Sequence, residues 1–299
     1  MDFDPLADSG PSRYAVESDE EDEYNPLEQR NPQLDAQDKF ELKIAGSISQ
    51  GSPLLAVFGD AGKYWAKGAN LGEQHGAVFV NDIQVGLIFK PTWTKSTIVV
   101  SETFTRLPIH SMNAYGSYLV SEMKPSRQVR TLDETKAITR KCSVSILDVY
   151  PSPTYISPTP ILQHEAPIRY LCSAKVDPKI AQVAESFAPP NLLHSTTSSA
   201  LLAHIVTQTS QITGTLILLP SARVTAPPPK TLQHSDLSNL DVDGISWSSQ
   251  TMNGVNKLLL QALGENSSSG WTAPSDDRSV KDSGARKSRT TIGEGGMYI

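Results

Sequence analysis

The chain has 299 residues, of which 38% are hydrophobic and 19% charged, and it carries a net charge of −6; this allows one large domain or two small ones with a buried core and polar additions. The charge is unevenly placed: residues 1–38 hold twelve acidic and two basic side chains, against 20 and 24 in the remainder, so an acidic arm precedes a mildly basic body. No Lys/Arg cluster interleaved with aromatics supports nucleic-acid binding, no stretch is apolar for long enough to cross a bilayer, and MDFDPLADSG has neither the basic start nor the apolar run of a secretory signal.

Residues 1–38 are rich in Asp, Glu, Pro and Ser, and they are read as a disordered arm. Within the arm, ESDEEDE (Glu17–Glu23) sets Ser18 before a block of acids. That is the pattern of an acidophilic phosphorylation site at Ser18, although a plain solvated tail is the favoured reading.

A folded body is expected over 39–264. GAVFVNDIQVGLIFK (Gly76–Lys90) reads as two strands joined near Asn81-Asp82, and STIVVSE follows as a third. SVSILDVYP (Ser143–Pro151) and IRYLCSA (Ile168–Ala174) are short apolar runs suited to strands covered on both faces. In VDPKIAQVAESFAPP, Asp177 is an N-cap, Pro178 fits the first helical turn, and Ile180, Val183, Ala184 and Phe187 share one helical face that ends at Pro189-Pro190. TTSSALLAHIVTQ predicts a second helix with Leu201, Leu202, Ile205 and Val206 apolar, and GTLILLPSA (Gly214–Ala222) a central strand. A Pro- and Asp-containing surface loop is expected over about 223–249. MNGVNKLLLQALGE gives a last helix with Met252, Val255, Leu259 and Leu263 at helical spacing and Gly264 as its stop. Strands first, then alternating helix and strand, predict an α/β sheet layered with helices. The polar stretch 265–299 reads as a flexible tether.

Signs of catalysis are few. GDAGKYWAKG (Gly59–Gly68) is glycine-rich and holds Gly62-Lys63, but Val57 stands where a phosphate loop needs its first glycine and Tyr64 where it needs Ser or Thr. A turn between strands is the better reading, with Tyr64 and Trp65 as loop-packing or interface residues. There is no G-x-S-x-G elbow. The six histidines (75, 110, 164, 194, 204 and 234) are never paired at metal-ligand spacing, and His204 is expected to be structural. Cys142 and Cys172 sit in separate strand-like runs and read as buried, inert thiols. No cofactor, metal or catalytic residue is assigned.

The chain closes on GEGGMYI, where three apolar residues end a polar tether. Nothing is gained by placing Met297, Tyr298 and Ile299 there unless they are buried, on their own domain or in a partner's pocket. Gly295-Gly296 permits an extended approach to a wall, Tyr298 offers a ring and a hydroxyl, and the terminal carboxylate suits a lysine or backbone amides. Hydrophobic–Tyr–any residue is the ending of proteins that dock between neighbouring subunits of the proteasome α ring. PPNLLHSTTSSALLAHI (Pro189–Ile205), followed by GTLILLPSARV, resembles the proteasome assembly chaperone 1 family of fungi. The resemblance covers about 176–264 and the last three residues. It departs from the family at Ser195, where Gly is usual, at Thr196 and Thr197, where apolar residues are usual, and at Met297, where Leu is commoner.

The resemblance implies a three-layer α/β domain and a non-catalytic chaperone. It implies pairing with a second, related assembly-chaperone subunit and binding to α-ring subunits of the 20S proteasome, in the cytoplasm and secondarily the nucleus. Met297, Tyr298 and Ile299 are then the partner-binding residues. Two alternatives stand beside it: another protein-binding adaptor, and an α/β enzyme with a dispersed site.

Overall fold

The computed structural model describes residues 40–46, 51–123, 142–159, 161–162, 165–208, 212–234, 246–265 and 270–273. Its elements belong to a unit that begins at Leu42. Among the described residues there are nine strands and five α-helices. In chain order they are β1 (Leu42–Gly46), β2 (Leu54–Phe58), α1 (Gly59–Gly68), β3 (Gln74–Val80), β4 (Ile83–Phe89), β5 (Thr97–Ser101) and α2 (Ile109–Met123). Then come β6 (Cys142–Pro151), β7 (Arg169–Cys172), α3 (Pro178–Val183), β8 (Glu185–Ser186), α4 (Thr197–Gln208), β9 (Ile212–Ser221) and α5 (Ser249–Ala262).

All nine strands form one mixed sheet in the order β1-β3-β4-β5-β2-β6-β9-β7-β8. Its centre is parallel, with β2 between β5 and β6, and β6 running beside β9. An antiparallel meander, β1-β3-β4-β5, forms one flank.

Strand periodicity divides the core. Leu55, Val57, Ile98, Val100, Ile217 and Leu219 face one side, where they pack with Trp65 of α1 and Met252, Val255 and Leu259 of α5. Their neighbours in sequence, among them Leu54, Ala56, Val99, Ile146 and Leu218, are also fully buried and point the other way, toward α2 and α4. Each such aliphatic side chain contributes about 1.5–3 kcal/mol by leaving water. The expected three-layer α/β architecture is therefore what forms.

Several elements follow the sequence closely. The β3–β4 hairpin turns at Asn81 and Asp82, both with positive φ (48° and 63°), the conformation that Asn and Asp accept most readily among non-glycine residues. β9 is interior, as expected of a central strand. Gly264, at φ 75°, terminates α5.

Three readings need correction. The Gly59–Gly68 segment is helix α1, not a turn. Its glycine serves packing: a Cβ on Gly62 would lie 2.8 Å from the Val57 carbonyl carbon, so the helix rests directly on β2. Tyr64 and Trp65 are accordingly core-side residues, and Trp65 is fully buried.

The helix from Pro178 stops at Val183. Asp177 caps it as expected, its side chain accepting from Lys179 N at 2.9 Å. Ala184 then turns extended, and β8 adds to the sheet edge through Glu185 N to Ile168 O and Phe187 N to Tyr170 O, both at 2.9 Å. The unpaired edge of β7 draws the backbone out of the helix, leaving Val183 exposed and placing Phe187 in a different cluster.

The third correction concerns 265–299, where Glu265 and Gly270–Ala273 are fixed to the body. Glu265 accepts hydrogen bonds from Thr94 Oγ1 at 2.6 Å and Ser96 Oγ at 2.8 Å, and Trp271 is buried.

Candidate functional site at the base of the C-terminal segment

Met297, Tyr298, Ile299 and Ser18 lie outside the described residues. The structure brings into view the point at which the chain leaves the body toward that end.

Trp271 is the anchor. Its ring stacks on Tyr64 at 5.6 Å between centroids, and Tyr64 meets Trp247 edge-on at 5.5 Å. The indole Nε1 of Trp271 donates to the carbonyl oxygen of Trp65 at 2.9 Å, and its backbone N donates to Asn253 Oδ1 at 3.0 Å. Thr272 N donates to Gly68 O at 3.0 Å, so the segment runs along the last turn of α1. Only a glycine at position 68 admits this, because a Cβ there would sit 2.2 Å from the indole ring.

Beside the anchor is a groove of about 1060 Å³, open to solvent and bordered by Gly270, Thr272 and Ala273. Its walls include Leu71, Leu87, Phe89 and Phe104, with Lys63 and Lys67 one helical turn apart on α1. Phe104 is 45% exposed. Neither lysine has an ion-pair or hydrogen-bond partner among the described residues. The arrangement is an apolar cleft with a cationic rim, suited chemically to a hydrophobic segment that bears a negative charge.

A second surface lies at the C-terminal end of β6. Arg169, nearly buried, stacks over Tyr155 at 3.8 Å and pairs with Glu185 at 3.2 Å. Tyr150, Tyr155 and Phe187 make mutual edge-on contacts around it. Above this cluster Ile156 and Leu192 are 62% and 80% exposed, and Asn191 ties their two loops together through both hydrogen bonds to the Ile156 backbone. It is a rigidly supported apolar face.

The third feature is buried and acidic. Asp148 on β6 accepts from Ser198 Oγ at the start of α4 and from Val149 N at 2.8 Å. Burial pushes its carboxyl up to about 7, against the opposing pull of those hydrogen bonds. Glu102, just after β5 and at φ 54°, accepts from Leu107 N at 2.8 Å; burial raises its carboxyl too. Ser101 and Tyr115 share a hydrogen bond at 2.6 Å next to them. These groups tie α4 and the β5–α2 loop to the sheet. A serine that donates to a carboxylate, with no imidazole between them, is not an activated nucleophile.

Cys172 is half-buried, its thiol donates to Thr215 Oγ1 at 3.7 Å, and burial raises its pKa, which fits an unreactive thiol. The side chain of Cys142 is not described. No group of three His, Cys, Asp or Glu among the described residues is placed to hold a metal ion. No helix among them is long and apolar enough to cross a membrane.

Sequence reading missed Trp271, the Lys63/Lys67 pair and the Arg169 cluster. For Trp271 a signal existed: a lone indole in the polar run ENSSSGWTAPSDD has no reason to be there unless it is buried. For the others there was none, since Arg169 and Tyr155 meet only once β7 and the 152–162 loop are folded together.

No family model matches the chain, and no curated protein matches its sequence. Solved structures do. The crystal structure of Pyrococcus furiosus PbaA, described as an archaeal homolog of proteasome-assembly chaperone, is 10% identical, with 76% of this chain and 88% of that chain covered at a TM-score of 0.45. Its monoclinic form is 11% identical, with 76% and 83% covered at 0.46. A protein of unknown function from Corynebacterium glutamicum ATCC 13032 is 10% identical, with 76% and 82% covered at 0.41. These are likenesses of architecture, and none of them assigns an activity or a partner to this chain.

Proposed function

We propose that the chain is a non-catalytic chaperone of 20S proteasome assembly. In this reading it works as a heterodimer with a second, related assembly-chaperone subunit in the cytoplasm and nucleus. The pair binds the outer face of the α ring, and Met297-Tyr298-Ile299 enters a pocket between two α subunits. The resemblance of 189–224 and the hydrophobic–Tyr–any-residue end support the reading at the level of sequence.

The observation that carries it is the fixed origin of the last segment. Trp271 and Thr272 hold the chain to α1, and 23 residues separate Ala273 from Met297. A polar coil of that length has a mean span of about 26 Å, which would keep the end within a bounded shell around one point on the body. Three buried side chains yield about 1.5–3 kcal/mol each, against roughly 1–2 kcal/mol per ordered residue, which leaves a weak contact by itself. Attachment to a docked body raises its effective concentration to the millimolar range. The apolar face of Ile156 and Leu192 offers area for the body's own contact.

Full-length chain and its Tyr298→Ala variant, each paired with its partner subunit, are titrated against purified α-ring particles. Binding weakened about tenfold or more by the substitution, with the melting curve unchanged, is the expected result. Equal binding by the two would remove the docking role, and a pull-down that returns no α subunits would remove the proposal as a whole.

A further inference from the structure

We infer that the groove beside Trp271 is a resting site for the chain's own C-terminus: before any ring is met, Met297, Tyr298 and Ile299 occupy it in cis, with the terminal carboxylate between Lys63 and Lys67. The inference deepens the proposed ring docking by naming its regulation, and it rests on that reading for its biological use alone.

Three observations converge on this occupant. The first is position. The anchored segment forms part of the groove wall, so the described chain reaches Ala273 at the rim of the cleft. With 23 residues between Ala273 and Met297, the end returns to the rim without stretching, because a coil of that length closes a loop at a modest entropic cost.

The second is chemistry. Leu71, Leu87, Phe89 and Phe104 present an apolar wall of the kind that suits a methionine, a tyrosine ring and an isoleucine. Phe104 is a large side chain left 45% exposed at this wall. Burying it under the incoming residues removes that apolar surface from water.

The third is charge. Lys63 and Lys67 stand at the groove without an acidic partner among the described residues. In this inference the Ile299 carboxylate is the anion, and two lysines one helical turn apart bracket a carboxylate. The net effect is a competition. An effective concentration in the millimolar range keeps the groove largely occupied by a tail that binds it more tightly than that, until a better pocket takes the end away.

Hydrogen exchange on the full-length chain, with no ring and no partner subunit present, tests this. Amides at 70–72 and 103–104 are followed in the natural chain, in Tyr298→Ala and in the Lys63→Glu/Lys67→Glu double variant. Exchange there is expected to rise about five- to tenfold in both variants, independently of protein concentration. A free GEGGMYI peptide added at millimolar concentration to Tyr298→Ala is expected to restore the slow exchange, and the same peptide amidated at its C-terminus is not. The substitution at Tyr298 changes none of the residues that build the body's core or the groove wall, so it reads the groove even if the lysine variant unfolds. Unchanged exchange in Tyr298→Ala overturns the inference. So does protection that grows with protein concentration, which would make the occupant a second copy's end. Equal action of acid and amide peptides overturns the role of the lysines. Because no ring is present, failure here and failure of ring docking are read separately.

Discussion

The indole of Trp271 donates its N–H to the carbonyl oxygen of Trp65, joining residues 206 positions apart at 2.9 Å. That carbonyl already accepts from Ala69 N at 3.0 Å, as the closing bond of α1. The indole bond is therefore a second one on an acceptor that stays satisfied without it. Packing, not the N–H, is expected to dominate. Trp271→Ala should cost about 3–5 kcal/mol, the range for deleting a buried tryptophan. Trp271→Phe, which keeps an aromatic ring against Tyr64, should cost far less, with only about 1 kcal/mol assigned to the lost hydrogen bond. Urea denaturation of the two variants checks this, and equal losses would show that the bond matters more than the ring.

Gly68 faces the same ring. Alanine is normally favoured over glycine in a helix by about 1 kcal/mol. Here its methyl would stand 2.2 Å from the indole and 2.4 Å from Thr272 O, so the sign reverses. Gly68→Ala should expel Gly270–Ala273 and open a protease-sensitive site near residue 270. In a double-mutant cycle the substitution should become neutral or stabilising once Trp271 is alanine, since the indole clash is then gone and the segment, without its anchor, is free to carry Thr272 O away from the methyl. A cost that persists in the Trp271→Ala background would mean that the Thr272 carbonyl, not the indole, is what demands glycine at position 68.

Much of this architecture was legible in the chain because periodicity and turn chemistry act locally. Val78, Val80, Ile98 and Val144 announce strands whatever surrounds them, and Asn81-Asp82 announces its hairpin. Helix α1 was hidden, since Gly62 and Gly68 look like turn residues until β2 and Trp271 are seen pressed against them. Helix α2 was hidden for another reason: it has no acidic residue in its first turn and no basic one in its last, and Gly116 interrupts it. β8 exists only because β7 leaves an edge to pair with, which no local pattern records. The site divides the same way. The expected Met-Tyr-Ile docking residues come from sequence alone and lie outside the described residues, whereas the groove and the place of the lysine pair on it are products of tertiary contact, with the lone indole of Trp271 as their one trace in the chain.

Gly116 is the contact point of α2 with α4. A Cβ there would lie 3.1 Å from Leu201 Cα and 3.2 Å from its N, so the helices touch backbone to backbone. Gly116→Ala asks for a shift of a few tenths of an ångström, and the gain in helix propensity offsets part of it; the net change should be within about 1 kcal/mol. Gly116→Val cannot be absorbed this way and should cost about 1–3 kcal/mol, the range of overpacking. Thermal denaturation of both variants separates the cases. If valine were as mild as alanine, the two helices would be free to slide.

Asp148 makes stability depend on pH in a stated direction. Its carboxyl, pushed up to about 7 by burial in the fold, returns to about 3.9 in the unfolded chain. Between those values the folded protein holds a proton that the unfolded chain has released. Stability is thus fully present below about pH 4 and is lost as pH rises toward 7. Glu102 shifts the same way, chiefly through burial, and its charge adds to the upward push on Asp148. Asp148→Asn keeps the shape, lets the side-chain oxygen accept from Val149 N, and lets the amide donate to the Ser198 hydroxyl. Its denaturation midpoint should fall less between pH 4 and pH 8 than that of the natural chain, by up to about 4 kcal/mol in stability. The variant should also be the more stable of the two at pH 8, because an amide in that site carries no charge to desolvate. Identical slopes for both proteins would show that the carboxylate ionises in the fold as freely as in water, and that the link from β6 to the start of α4 costs nothing at neutral pH.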